Sequence, residues 1–324
     1  MDSWVWWILT CGFSLYFVIL LLEFNRPAQK LMEQIDSQEI RRQEMERRLE
    51  RAQEEATELR SQLDEVELRM EDLEERRQEI LPEAMSRRMT RIDSGPFLMG
   101  GRDEDSPRGE RPAHTVHLSS FYVGRYPVTN QDYSEFVRCT NHRVPIHWAR
   151  GTFPTGMGQH PVVNVSWQDA RDFAEWTGAR LLTEAEWEKA ARGTDERHYP
   201  WGNRFVDGER CNGNNSVGTT TIVNEFPDGR SPYGIWDMCG NVYEWCVDYY
   251  DEDYYKISPG SNPKGPDGGQ ERVVRGGSFG ETRAALRVTH REGVNEVTSR
   301  ETTGFRLAMD AESSPPPRPE SNEG

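Results

Sequence analysis

Ser231-Pro-Tyr-Gly-Ile-Trp-Asp-Met-Cys-Gly-Asn-Val-Tyr-Glu-Trp245 crowds two tryptophans, two tyrosines, a Gly240-Asn241 pair and two carboxylates, Asp237 and Glu244, into fifteen residues. Its apolar residues keep no helical period, so it is not an amphipathic helix. The rings anchor it in a core, while Gly240 and Asn241 turn the backbone sharply. Oxygen donors on a bent, anchored loop suit a hard cation such as calcium.

Outward from this stretch, the flanking segments read as a mixed helix and strand domain. Ser166-Trp-Gln-Asp169 predicts a helix to Thr177 that stops at Gly178 and buries Trp167, Ala170, Phe173 and Ala174. Thr183-Glu-Ala-Glu186 is a capping box for a second helix, closed by Gly193, and an earlier short helix follows Thr129-Asn130. Gly95–Gly101, His114–Leu118, Arg272–Phe279 and Gly304–Ala308 read as strands. His114 and His117 fall on opposite faces of theirs, which argues against a joint metal site. Between Gly193 and Ser231 the chain loses periodicity and gains glycine, asparagine and aromatics, as in Tyr199-Pro-Trp-Gly202 and Asn212-Gly-Asn-Asn215. Irregularity on this scale belongs to a site or needs a bound ion.

The N-terminal third has a different character. Trp4 to Leu22 carries no charge and is long enough to cross a hydrocarbon core of about 30 Å. With no basic n-region and no small-residue cleavage site, it reads as an uncleaved anchor. Arg26, Lys30, Arg41 and Arg42 follow the span and none precedes it, which places the bulk of a single-pass protein in the cytoplasm. From Leu31, apolar residues step by four and three through Ile35, Met45, Leu49, Leu59, Leu63, Val66 and Met70. This is the seam of a parallel coiled coil about 75 Å long, which would make the protein a homo-oligomer. Pro82 is expected to end it. The organisation is therefore anchor 1–25, coiled coil 26–81, linker 82–91, domain 92–310 and a disordered tail 311–324.

A net charge of −16 over 324 residues, with no basic face, argues against nucleic acid as a partner. Cysteines at 11, 139, 211, 239 and 246 show no Cys-x-x-Cys spacing.

Seven motifs in order give a family resemblance. They are Val128-Thr-Asn130, Pro161–Trp167, Arg180–Gly193, Tyr199–Gly202, Asp237–Trp245, Arg275-Gly-Gly-Ser278 and Gly304-Phe-Arg306. The chain from about Ile92 to Met309 resembles the formylglycine-generating enzymes, or sulfatase-modifying factors. The resemblance implies an α+β fold, a variant of the C-type lectin-like fold with little regular structure. It also implies oxidation of a sulfatase cysteine by oxygen and a copper ion held by two thiolates shortly after the Gly-Gly-Ser motif. Here Ser278–Arg291 contains no cysteine, and Glu281, Thr282 and His290 cannot replace two soft ligands for Cu(I). Copper is therefore not expected, and the remaining candidate pair is Cys239 with Cys246. The family's structural calcium site carries over to Asp237, Gly240, Val242 and Glu244, with Arg275 the alternative partner for the two carboxylates. A second family site near Asn212–Asn215 is shortened. Ser278 lacks the Gly-x-Ser-x-Gly elbow of a hydrolase, and no histidine cluster supports the iron chemistry of the sulfoxide-forming relatives.

Two readings follow. One is a calcium-stabilised module without oxidase activity that recognises a protein, peptide or glycan through Trp201, Trp236, Tyr243 and Phe279. The other is an oxidase acting on a protein cysteine by altered chemistry.

Overall fold

The computed structural model describes residues 3–102, 106–206 and 208–311, of which residues 3–24, 27–28 and 71–87 are described by their helical course alone. The chain divides into two units, Met1–Glu75 and Arg76–Gly324.

The first unit is helical. It belongs to α1 (Ser3–Arg87), 85 residues long, in which i,i+4 pairs such as Glu44–Arg48 at 3.0 Å and Glu65–Arg69 at 3.1 Å line the surface. Leu31, Ile35, Met45, Leu49, Leu59, Leu63, Val66 and Met70 are all exposed along it. Among the described residues, no helix is long and apolar enough to cross a membrane. The side chains of the Trp4–Leu22 run lie outside those residues. Pro82 does not stop the helix, which continues to Arg87. A proline removes one backbone donor and can bend a helix without ending it.

The second unit holds the strands. β1 (Met89–Ile92) occupies residues expected to be linker and pairs antiparallel with β4 (Phe121–Gly124). Four residues are too few for a period to show, which is why the strand is silent in the sequence. β10 (Leu307–Asp310) covers the other side of β4 and also pairs with β5 (Arg180–Leu181), giving the sheet order β1-β4-β10-β5. β2 (Gly95–Met99) and β3 (His114–Leu118) form a separate hairpin. The third sheet is β8-β7-β6-β9, built from β6 (Tyr243–Tyr249), β7 (Glu271–Arg275), β8 (Arg291–Asn295) and the parallel β9 (Thr303–Gly304).

Three helices follow the expected caps. α2 (Asn130–Thr140), α3 (Trp167–Trp176) and α4 (Glu184–Arg192) begin at capping boxes on Thr129, Ser166 and Thr183. Tyr133, Phe136, Trp167 and Phe173 build one core with Phe305 and Trp245, and Trp187 joins a second under β2 to β4. Between the strands the chain is mostly turns and bends, held by backbone bonds such as Asn241 N to Asn212 O at 2.8 Å. The tail expected from residue 312 lies outside the described residues.

Candidate functional site

The Gly240–Asn241 turn is where the irregular segments converge. Asp237, Gly240 and Asn241 all have positive φ, at 56°, 77° and 65°. Glycine is required at 240, because a Cβ there would lie 2.2 Å from Asn212 O. Gly240 N donates to Gly276 O, and Phe279 N donates to Asn241 O. The Asn241 side chain accepts from Thr221 N at 2.9 Å. These bonds tie three distant segments to one turn.

The two carboxylates of the stretch have different fates. Glu244 is fully buried, and its two oxygens accept from Arg306 Nη2 and Nε at 2.6 Å each, with Trp187 Nε1 at 2.7 Å as a further donor. The expected calcium ligand is thus neutralised by an arginine. It stands opposite Arg275 in the sheet register, yet its partner is Arg306 from the Gly-Phe-Arg motif. Asp237 is also buried, and burial pushes its carboxyl up to about 8. Its near contact is the Asn241 amide nitrogen at 3.5 Å, and the neighbouring Asn212 Oδ1 is buried without a hydrogen-bond partner. Oxygen donors in want of positive charge suit a calcium ion beside Asp237, whereas Glu244 does not fit as a ligand because its charge is already matched.

Arg275 has another role. Its Nη2 meets Glu188 at 2.5 Å, its Nη1 meets Glu184 at 3.4 Å, and both nitrogens donate to the carbonyls of Val288 and Thr289. Arg291 grips Glu184 at 2.6 and 2.9 Å. This buried network fastens both ends of the 276–290 loop to the N-terminal half of α4. Asp248 accepts from Glu184 N at 2.8 Å, and burial pushes its carboxyl up to about 8.

A raised carboxyl has a sign that can be tested. The folded state holds a proton on Asp248 between its unfolded value of about 3.9 and its folded value near 8, so stability falls as pH rises through that window. Glu110, Glu184 and Asp169 are shifted the other way, and their contribution is lost only as pH falls below the ordinary carboxylate range. Urea midpoints measured from pH 5 to pH 8 are expected to decline less steeply in Asp248→Asn than in the parent; parallel profiles would refute this.

The loop after Gly277 lies against β6 and gathers polar side chains there. Tyr243 Oη lies 3.5 Å from His290 Nε2, and its phenol is raised by burial with Glu281 and Glu292 beside it. His290 Nδ1 is 3.7 Å from Glu110 Oε1, which also takes Arg287 Nη2 at 2.9 Å. Burial works against the Glu110 charge, but hydrogen bonds from His290 and Thr289 hold its carboxyl below the usual range. Among the described residues, no three His, Cys, Asp or Glu side chains gather closely enough to hold a metal.

The aromatic residues expected on one exposed surface are dispersed. Tyr243 is 3% exposed, because it opens β6 and packs into the core. Phe279 is half-buried in the loop after Gly277. Trp201 stacks on Tyr199 with ring centroids 5.5 Å apart, and Trp236 lies elsewhere, against Tyr126 and under Arg230. Cys239 and Cys246 are not partners either. Cys239 belongs to a small cluster with Cys211, whereas Cys246 lies in the core beneath β2 to β4, and burial pushes both thiols up. Sequence reasoning missed Glu110, Arg306 and Cys211, which come to the site from far along the chain.

Comparison with known proteins bears on this arrangement. Residues 76–311 match the Sulfatase-modifying factor enzyme 1-like domain. A serine/threonine-protein kinase pkn1 of Chlamydia caviae is 37% identical over 248 residues, covering 71% of this chain and 39% of that protein. The chain thus spans well under half of that kinase. The formylglycine-generating enzyme of Thermomonospora curvata is 36% identical over 292 residues, covering 71% of this chain and 95% of that enzyme. Among solved structures, PvdO from Pseudomonas aeruginosa superposes with a TM-score of 0.59 at 26% identity, covering 68% of this chain and 94% of PvdO.

Proposed function

We propose, from the premise that this chain belongs to the sulfatase-modifying factor enzyme 1-like family, that it is a recognition module for a protein, peptide or glycan and not an oxidase. One observation carries this reading. The loop that follows Gly277 presents Glu281, Thr282 and His290 and no thiol, so nothing in that loop offers the soft donor pair that Cu(I) requires. Its polar side chains are tied to each other, as His290 and Arg287 are to Glu110. Such a surface can hydrogen-bond a ligand and does not activate oxygen. The phosphate-cradling Gly-x-Gly-x-x-Gly loop of a protein kinase is absent from the sequence, so the kinase name of one relative is not transferred. Peptide-dependent oxygen uptake in the presence of copper would instead support the alternative, an oxidase acting on a protein cysteine.

In this reading calcium has a structural place. Asp237 and the main-chain carbonyls of Gly240 and Val242 would hold it, leaving Glu244 to Arg306. A bound cation there would brace the turn on which Phe279 and the loop rest.

The α1 seam supports a further part of the proposal. Its exposed leucines and methionines recur at coiled-coil spacing, so burial against further copies of the same helix accounts for them. The 1–25 segment would anchor the assembly in a membrane with the domain on the cytoplasmic side. Deleting residues 1–81 is expected to convert an oligomer in the membrane fraction into a soluble monomer, read by fractionation and sedimentation. An unchanged oligomer, or unchanged membrane association, would contradict the corresponding part.

A further inference from the structure

The pair Cys211 and Cys239 has no role in the recognition reading. Cys211 and Cys239 are each 2% exposed and share a small apolar cluster with Tyr199 and Leu286. The Cys239 Sγ donates to Leu286 O at 3.2 Å. Cys211 and Cys239 are thus neighbours within one apolar cluster. Their segments are also already in register, since Asn212 O accepts Asn241 N at 2.8 Å, one residue beyond Cys211 and two beyond Cys239.

The cover over the pair adjoins an irregular, partly exposed segment. Leu286 seals it so closely that a Cβ on Gly213 would come within 2.4 Å of Leu286 Cδ1 and 3.5 Å of Cys211 Sγ. Leu286 in turn follows Gly280–Ala285, which has no helix or strand and exposes Thr282, Arg283 and Ala284. Segments with few backbone bonds and exposed side chains are where local opening is easiest.

We propose that Cys211 and Cys239 are a redox-active dithiol that closes to an intramolecular disulfide, with Leu286 as the gate. The oxidant is a small disulfide such as oxidised glutathione. Once the gate lifts, one thiol loses its proton and the thiolate attacks a glutathione sulfur, which releases one glutathione thiolate to take up a proton. The second protein thiol, deprotonated in turn, attacks the protein sulfur of this mixed disulfide, so that the S–S bond forms and the second glutathione leaves. Two protein thiols are oxidised and one disulfide is reduced to two thiols. With the gate closed, burial keeps the Cys239 thiol protonated and shields both sulfurs from the oxidant. The product cross-links the Asn212 segment to the Gly240–Asn241 turn, and so fixes the support on which Phe279 and its loop are held.

The test uses the full chain, reduced and then incubated with oxidised glutathione. After denaturation with an alkylating agent, the peptides are mapped by mass spectrometry. The expected product joins the Cys211 and Cys239 peptides, raises the melting temperature, and reverts with dithiothreitol. Leu286→Ala is expected to give the same product several-fold faster. Alkylation of both cysteines at a glutathione concentration that fully modifies the exposed Cys139 would overturn the proposal. So would glutathione retained on either thiol, or a bond from Cys239 to Cys246. An unchanged closing rate in Leu286→Ala would overturn the gate.

Discussion

Glu244→Ala is expected to destabilise the domain by about 3–5 kcal/mol, the cost of leaving a buried arginine without its counter-charge. Arg306 is fully buried, and its remaining bonds are to the neutral carbonyls of Gly124 and Trp236. The indole N–H of Trp187 loses its acceptor in the same variant. Because the loss is electrostatic and local to the arginine, it is expected to be the same in calcium and in chelator. Asp237→Asn should behave in the opposite way. It removes a carboxylate that burial disfavours, so the calcium-free protein should be no less stable, while any stabilisation by added calcium disappears. Urea unfolding of the parent and both variants, with and without calcium, separates these outcomes. A calcium-dependent deficit in Glu244→Ala would show that Glu244 is a ligand after all.

The second large effect is expected at Glu184→Ala. Glu184 is 1% exposed, takes two bonds from Arg291 and one from Arg275, and accepts from Tyr255 Oη at 3.1 Å. Its loss leaves Arg291 buried with the carbonyls of Gly109 and Asp251 and the rings of Tyr250 and Tyr255 but no counter-charge, at a cost again of about 3–5 kcal/mol. Arg275 retains Glu188, and Glu188 retains Arg192, so that half of the network should survive. The damage therefore falls on the Arg291 end of the loop that carries His290. Limited proteolysis is expected to cut within residues 280–285 much faster in Glu184→Ala than in the parent. Uniform cleavage across the domain would mean that the network acts on global stability alone.

These effects mark what could and could not be read from the sequence. Local chemistry was legible. Thr129, Ser166 and Thr183 cap their helices as their spacing predicts, since a capping box is closed within four residues. Strand His114–Leu118 lies where alternation places it, whereas the strand expected over Arg272–Phe279 ends at Arg275. The resemblance located the α+β fold because its motifs are the residues that hold the irregular segments together. Partnership between distant charges was not legible. Glu244 and Arg306 are 62 residues apart and Glu184 and Arg291 are 107 apart, and a carboxylate that binds calcium looks the same in sequence as one that binds arginine. The same limit hid Cys211 from Cys239. Burial misled in the other direction at Tyr243, whose place in an aromatic-rich stretch suggested a surface residue although it begins a buried strand. Met89–Ile92 and the helix beyond Pro82 were missed for a simpler reason, since a four-residue strand has no measurable period and a single proline does not fix a helix end.

The loop after Gly277 is expected to recognise a ligand and not to oxidise one. This is tested most directly by incubating the full chain with a sulfatase-motif cysteinyl peptide, copper and oxygen, and reading the peptide by mass spectrometry. The peptide mass is expected to stay that of the intact cysteine at all protein concentrations and times; conversion of the cysteine to the aldehyde, above a control without protein, would contradict the recognition reading.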